Sequence, residues 1–118
     1  MQGKESNLIV DLTFSFALKI IRYAEELEKQ RKYVVANQLL KSGTSIGANV
    51  REAQNAESKT DFIHKMKVAA KEADETEYWL LLCKQSKDYP ECEDLIQDCS
   101  SIIRILSKII SSSKTNSH

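Results

Sequence analysis

Two pairs of side chains in this sequence have the spacing of metal ligands on a helix. Asp61 and His64 are three residues apart, and so are Glu72 and Glu75. A di-metal site in a bundle of four helices takes a Glu-x-x-His pair from each of two helices and one Glu from each of the others. The only other histidine, His118, is the last residue. Because this ligand set is too small, we expect no metal site and no cofactor.

The sequence also lacks the motifs of other common active sites. It contains no phosphate-binding loop, no dinucleotide-binding glycine pattern, no HExxH and no GxSxG. We therefore expect the protein not to be an enzyme. Cys83, Cys92 and Cys99 are an odd number of cysteines without a CxxC pair, which argues against a disulfide framework. The thiols are expected to be buried and to pack as small apolar side chains.

Basic side chains are concentrated in one part of the chain. Positions 41–71 carry six basic residues against three acidic ones, whereas positions 72–98 carry two against nine. The whole chain has no net charge, which is unlike an electrostatic nucleic-acid binder, so any such binding must use a local patch. Alternatively, the basic and acidic regions attract each other between neighbouring subunits. The candidate nucleic-acid contacts are Arg51, Lys59, Lys65, Lys67 and Lys71.

The helices that would position these residues are visible as apolar stripes. Spacings of four and three predict a helix over 59–87 with Ser58 as its N-cap, and another over 91–111 with Asp88 or Tyr89 as cap and Pro90 in the first turn. The predicted buried residues of the first of these helices are Phe62, Met66, Ala69, Ala73, Thr76, Leu80 and Cys83; those of the second are Cys92, Leu95, Cys99, Ile102, Leu106 and Ile109.

Two earlier helices are predicted over 9–29 and 32–56. The first has two adjacent apolar stripes, which is typical of a bundle helix that contacts two neighbours. In the second, helical spacing continues across Gly43 and Gly47, which favours one helix with a possible kink over a loop. The stripes of the first helix contain Ile9, Leu12, Phe16, Ile20, Tyr23 and Leu27, and Val10, Phe14, Ala17, Ile21 and Ala24.

Several polar and aromatic residues are predicted to stabilise contacts between helices or subunits. Asn49 and Glu52 lie close to the buried stripe, where hydrogen bonds to another helix would set the register; the alternative is a carboxylate site. Trp79 lies outside the stripe of its helix and must bury against a wider core or against another subunit. Glu72 and Glu75 are assigned to the same structural contact.

Together these patterns predict an all-α protein, an antiparallel up-down-up-down four-helix bundle. Residues 1–112 are predicted to form its single domain and residues 113–118 a disordered tail. The opening residues lack the apolar core of a signal peptide, and no apolar run approaches the ~20 residues that span a bilayer. We therefore expect a cytoplasmic protein with no membrane partner.

Two motifs carry a resemblance to a known family. They are the run from Ser45 to Ala53, SIGANVREA, and the run from Lys71 to Leu80, KEADETEYWL. Together with the pattern FxFALxI at positions 14–20, they resemble the small bacterial four-helix-bundle proteins known as 23S rRNA intervening-sequence proteins. The resemblance spans residues 8–110, with Gly47 standing where the family often has proline.

The resemblance implies a function that the residues alone do not define. It implies an up-down bundle that assembles into a homopentamer, in a family whose biochemical role is poorly defined. A related branch, the accessory variability proteins of diversity-generating retroelements, binds nucleic acid and a reverse transcriptase. Our function hypothesis is therefore a homo-oligomeric, pentameric adaptor that binds RNA, DNA or a nucleic-acid enzyme. The alternatives are a protein-binding or structural oligomer and, least favoured by the ligand count, a carboxylate-bundle metalloenzyme.

Overall fold

Four α-helices make up the protein. The computed structural model describes residues 4–115, with side chains from Leu8 onward. The helices are α1 (Lys4–Lys29), α2 (Tyr33–Ala53), α3 (Lys59–Gln85) and α4 (Glu93–Thr115), and the part of the chain described contains no strand. The predicted all-α class is confirmed.

The helices run alternately up and down around one core. Each helix packs against two neighbours, α1 with α2 and α4, and α3 with α2 and α4, so that α1 and α3 occupy opposite corners. The resulting rod measures 52 × 20 × 19 Å. This arrangement is the predicted up-down four-helix bundle.

The core consists of the apolar stripes that the sequence pattern predicted. All the residues predicted to be buried on α3 and α4 are buried, from Phe62 to Cys83 and from Cys92 to Ile109. Their helical spacing places them on one side of each helix, so burying that side closes the core. Near the centre, two buried hydroxyls join α2 to α3, because Ser42 Oγ lies 2.9 Å from Thr76 Oγ1.

The glycines of α2 lie inside the helix, where they allow α1 to approach closely. The helix is continuous from Tyr33 to Ala53, so the loop alternative is excluded. A Cβ atom added at Gly43 would lie 2.8 Å from Ile20 Cγ2, and one added at Gly47 would lie 3.3 Å from the carbonyl oxygen of Thr13. The missing side chains therefore create the space in which α1 crosses α2.

The helix ends differ from the predicted bounds. The first helix begins at Lys4 rather than near residue 9, because nothing in residues 4–8 breaks a helix. The second helix ends at Ala53 instead of residue 56, and the third ends at Gln85 instead of residue 87.

The largest differences are at the two ends of α4. Pro90 precedes α4 instead of lying in its first turn, and Asp88 does not cap it, because Asp88 adopts a left-handed backbone (φ 65°) that redirects the chain. The carbonyl of Cys92 accepts the first helical hydrogen bond, from Ile96 N. At the other end, α4 continues to Thr115, into the segment predicted as a tail, because SSSKT contains no glycine or proline. Residues 116–118 lie outside the described part.

Candidate nucleic-acid interface

Most of the predicted nucleic-acid contacts gather at one end of the bundle. Because the helices alternate in direction, the end of α2, the start of α3 and the end of α4 lie together. We call this the basic end. It contains Arg51, Lys59, Lys65 and Lys67, while Lys71 lies one turn further along α3.

Lys65 is turned toward α2 and is partly neutralised there. Its Nζ donates to Glu52 Oε1 at 2.9 Å, and this hydrogen bond and the carboxylate charge raise the pKa of Lys65. The pair joins α2 to α3 through exposed side chains, so its contribution to stability is small. Glu52 therefore contacts a neighbouring helix, as expected, while Lys65 is a weaker candidate for binding phosphate than its neighbours.

Lys67 and Lys71 lie on the outer face of α3, four residues apart and exposed. Three ion pairs between described side chains, Lys19 to Asp98, Lys65 to Glu52 and Lys84 to Glu93, include neither Lys67 nor Lys71. Both side chains are exposed to solvent.

The structure adds a lysine that the sequence analysis missed. Lys114, in the last turn of α4, lies beside Lys67, and the hydrogen bond and charge of Lys67 lower the pKa of Lys114. The residue fell in the segment predicted to be a tail. Its position four residues after Ile110, on a stripe of α4, was the available signal.

Arg51 is separated from this lysine group. It lines an apolar groove between α1 and α2, with a volume of about 230 Å³, on the side of α2 away from α3. Lys59, the first residue of α3, is half-buried. The residues predicted to contact nucleic acid therefore lie on different faces of the bundle. The groove is lined by Val10, Thr13, Phe14, Ala17, Thr44, Gly47, Ala48 and Arg51.

The polar residues assigned to structural contacts have different surroundings. Asn49 bonds within its own helix, because its Nδ2 donates to the carbonyl of Ser45 at 2.9 Å, so the hydrogen bond predicted to another helix is not made. Glu72 is half-buried and Glu75 exposed. Among the described residues, no three His, Cys, Asp or Glu side chains are grouped so that they could hold a metal ion.

Trp79 is half-buried and stands at the edge of an exposed apolar surface. Its ring packs edge-to-face on Tyr78, with 5.8 Å between ring centroids. Tyr78 is 59% exposed, and Leu81 and Leu82 are exposed as well. We call Tyr78, Leu81 and Leu82 the α3 ridge. Trp79 is therefore only partly buried within one chain, whereas the sequence predicted burial against a wider core or against another subunit.

A second exposed apolar surface lies on α1. The inner stripe of this helix is in the core, as predicted, but part of its second stripe is not. Phe14 (59% exposed), Leu18 and Ile21 lie on the surface beside the groove to α2. We call these residues the α1 face. Because α1 and α3 occupy opposite corners of the bundle, the α1 face and the α3 ridge do so as well.

The three cysteines are buried, as expected. Cys99 Sγ donates to the carbonyl of Ala73 at 3.3 Å, and burial raises the pKa of its thiol to about 12. Burial likewise raises the pKa of Cys83 to about 11. Because a thiolate is the reactive form, these raised values make the thiols inert at neutral pH. They serve as packing groups.

Comparison with known proteins identifies the family. The family model described as "23S rRNA-intervening sequence protein" matches residues 5–108, and the chain belongs to this family. A crystal structure from Bacteroides thetaiotaomicron, described as a protein with unknown function from the S23 ribosomal protein family, is similar, with a TM-score of 0.85. It is 40% identical, and the alignment covers 91% of this chain and 98% of that one. The comparison with curated proteins gives no match.

No helix within residues 4–115 is long and apolar enough to cross a membrane.

Proposed function

We propose that this protein is a non-enzymatic, homo-oligomeric adaptor that binds RNA or DNA, free or within a nucleoprotein, through the basic end of its bundle. The observation that carries the proposal is the exposed group of Lys67, Lys71 and Lys114, contributed by two helices. Lysine side chains in such a group bind the phosphate backbone without reading its sequence. The family's name refers to an intervening sequence of 23S rRNA, so RNA is the first partner to test.

The two apolar surfaces support self-assembly. The α1 face and the α3 ridge differ in sequence and lie at opposite corners of one subunit. When one surface of a subunit binds a different surface of the next, the same contact repeats from copy to copy. The subunits form a closed ring if the rotation between neighbours adds up to a full turn. Five subunits is the number that the family resemblance implies. A ring of this kind would gather the basic ends on one side and multiply a modest charge.

Substitutions on the two apolar surfaces test the assembly. Phe14→Glu and Leu82→Glu each place a charge in the proposed contact, so each is expected to shift the native mass from oligomer to monomer with the helical circular dichroism retained. Leu8→Glu is the matched control, because Leu8 is an exposed apolar residue of α1 outside the α1 face. If all three variants keep the wild-type mass, these surfaces do not join subunits.

A triple substitution tests the basic surface. Lys65→Gln, Lys67→Gln and Lys71→Gln together should weaken the binding of a labelled single-stranded RNA, and should lower the slope of log K against log salt by roughly 2, at about 0.7 for each lost phosphate contact. The control is the triple change of Lys29, Lys84 and Lys87 to Gln, which removes the same charge at the opposite end and also breaks one ion pair. If the two triple variants bind the RNA equally well, the assignment of Lys65, Lys67 and Lys71 to the RNA-binding surface is wrong.

The second candidate function is a protein-binding or structural oligomer. The neutral chain and the two apolar surfaces favour it. It predicts assembly that depends on Phe14 and Leu82 and a complete indifference to RNA and DNA at every salt concentration. The two variant sets above therefore separate the candidates.

A further inference from the structure

Each of the two exposed apolar surfaces is bordered by a charge, and the two charges are opposite. Arg51 lines the apolar groove beside the α1 face, together with Phe14. On α3, Glu75 precedes Tyr78 of the α3 ridge by three residues, so these side chains are neighbours on the helix surface. Both Arg51 and Glu75 are exposed. A guanidinium group therefore stands beside one apolar surface and a carboxylate beside the other.

Along the bundle, Arg51 lies nearer to the basic end than the α1 face does. A Cβ atom added at Gly47 would lie 3.3 Å from the carbonyl oxygen of Thr13, so these two residues are at one level of the bundle. Arg51 lies four residues beyond Gly47 toward the end of α2, whereas Phe14 follows Thr13 away from the basic end. From the basic end, this surface presents a guanidinium group, an aromatic ring and then the aliphatic side chains of the α1 face.

The α3 ridge shows the same order. In an up-down bundle α1 and α3 run in the same direction, so α3 also begins at the basic end. Its exposed side presents Glu75 first, then the ring of Tyr78 and then the aliphatic side chains of Leu81 and Leu82. Two copies side by side in the same orientation would pack apolar groups together and bring the opposite charges together. An inverted copy would place the carboxylate against aliphatic side chains instead.

We propose that Arg51 of one copy and Glu75 of a second copy form an ion pair across the contact between the α1 face and the α3 ridge. This pair rests on the self-assembly proposed above and deepens it by naming the residues that set the orientation and register of neighbouring copies. A guanidinium group can bind a carboxylate through two parallel hydrogen bonds, which gives the pair a defined geometry. Arg51, which the sequence indicated as a contact for nucleic acid, is thereby assigned to a carboxylate.

The charges around Glu75 disfavour another register. Lys71 lies four residues before Glu75 on the exposed side of α3. If the second copy slid by one helical turn, Lys71 instead of Glu75 would oppose Arg51, and like charges across an interface repel each other. The ion pair therefore selects one alignment, in which the basic ends of neighbouring copies point the same way.

A charge exchange tests the ion pair. Arg51→Glu and Glu75→Arg should each raise the dissociation constant of the oligomer about tenfold or more, with the helical circular dichroism retained. The two substitutions combined in one chain should restore assembly, because every contact then holds the same pair in reverse. Sedimentation velocity over a series of protein concentrations measures the dissociation constant.

The matched control for the exchange uses another exposed charge of α2. Lys41 lies ten residues before Arg51, about 15 Å along the helix. Glu75→Arg combined with Lys41→Glu has the same composition of charges as the exchanged variant. It should not restore assembly, and full restoration by this control would overturn the pairing of Glu75 with Arg51.

A mixture of two variants tests whether the contact joins different surfaces. Phe14→Glu leaves the α3 ridge intact, and Leu82→Glu leaves the α1 face intact. Mixed in equal amounts at high concentration, the two chains should form a dimer with one copy of each and no larger species, because one intact pair of surfaces remains. If either variant formed dimers alone, the surfaces would bind their own kind and the proposed pair would be wrong.

The outcomes separate the ion pair from the wider function. If the wild type forms an oligomer and the exchanged variant does not, the ion pair is wrong and self-assembly stands. If Arg51→Glu keeps the wild-type dissociation constant and weakens the binding of RNA, Arg51 contacts nucleic acid and the ion pair is again wrong. If the wild type is a monomer at every protein concentration, both proposals fall.

Discussion

Individual buried thiols make the stability of this protein sensitive to high pH. Cys99 is fully buried, and its pKa is raised from 9.0 to about 12. Between these values the folded thiol keeps its proton while the unfolded thiol loses it. The unfolded state then binds fewer protons, so the free energy of unfolding falls as pH rises above about 9. Burial raises the pKa of Cys83 and of Tyr23 as well, which adds to the effect in the same direction.

We predict that Cys99→Ala reduces this dependence on pH. Urea denaturation at a series of values from pH 8 upward should show the wild type losing up to ~1.4 kcal/mol per pH unit for each buried thiol above pH 9. The variant should start less stable and show a shallower decline. Ile102→Val is the control, because it removes core volume without a titrating group and should keep the wild-type slope. An unchanged slope in Cys99→Ala would contradict the assigned pKa shift.

At the scale of the element, α1 and α2 approach closely where they cross. Gly43 is buried, and an added Cβ would lie 2.8 and 2.9 Å from the two γ carbons of Ile20. Alanine favours a helix over glycine by about 1 kcal/mol. Overpacking a well-packed core costs about 1–3 kcal/mol, so the steric term should dominate at this position.

We therefore predict that Gly43→Ala destabilises the protein, against the helix propensity. After the gain in helix propensity is subtracted, chemical denaturation should show a free energy of unfolding lower by up to about 2 kcal/mol. Ile20→Ala removes both γ carbons that the added Cβ would meet, so the double variant should lose less stability than the sum of the two single losses. A variant that is as stable as the wild type or more so would show that the two helices separate without cost.

The helices were predictable because the buried apolar residues recur in the sequence at the spacing of a helix. Each stripe from Phe62 to Cys83 and from Cys92 to Ile109 is apolar at the spacing that one packed face requires. The ends were less predictable, since no breaker follows Leu106 and Ile109 until the end of the chain, and the Ser-rich segment continues α4. Pro90 was misplaced because the left-handed turn at Asp88 depends on contacts distant in sequence, such as Tyr23 Oη donating to the carbonyl of Pro90 at 2.7 Å.

The candidate site was predictable only in part. The sequence indicated Lys67 and Lys71 through local charge, but charge does not show on which face a side chain lies. Arg51 lines an apolar groove and Lys65 pairs with Glu52, so neither belongs to the exposed lysine group. Lys114 belongs to this group because α4 packs on α3. Tertiary contacts determine which side chains share a surface, and these contacts leave no pattern in a single sequence.

At the scale of the whole molecule, the bundle exposes apolar side chains on two of its surfaces. Phe14 and Tyr78 expose apolar area that a lone bundle of this size would normally bury, and they do so at opposite corners. In a ring of identical subunits that share one orientation, all the basic ends would lie on the same side. In the function proposed above, assembly and nucleic-acid binding are coupled, because a monomer would present only one weak patch.

Native mass spectrometry of the wild-type protein tests this coupling most directly. The protein would be measured alone and with short single-stranded RNA over a series of ammonium acetate concentrations. We predict one closed oligomer, of five subunits by family resemblance, which takes up RNA at low salt and releases it as salt rises. A monomer at every protein concentration, or an oligomer that ignores RNA even at the lowest salt, would contradict it.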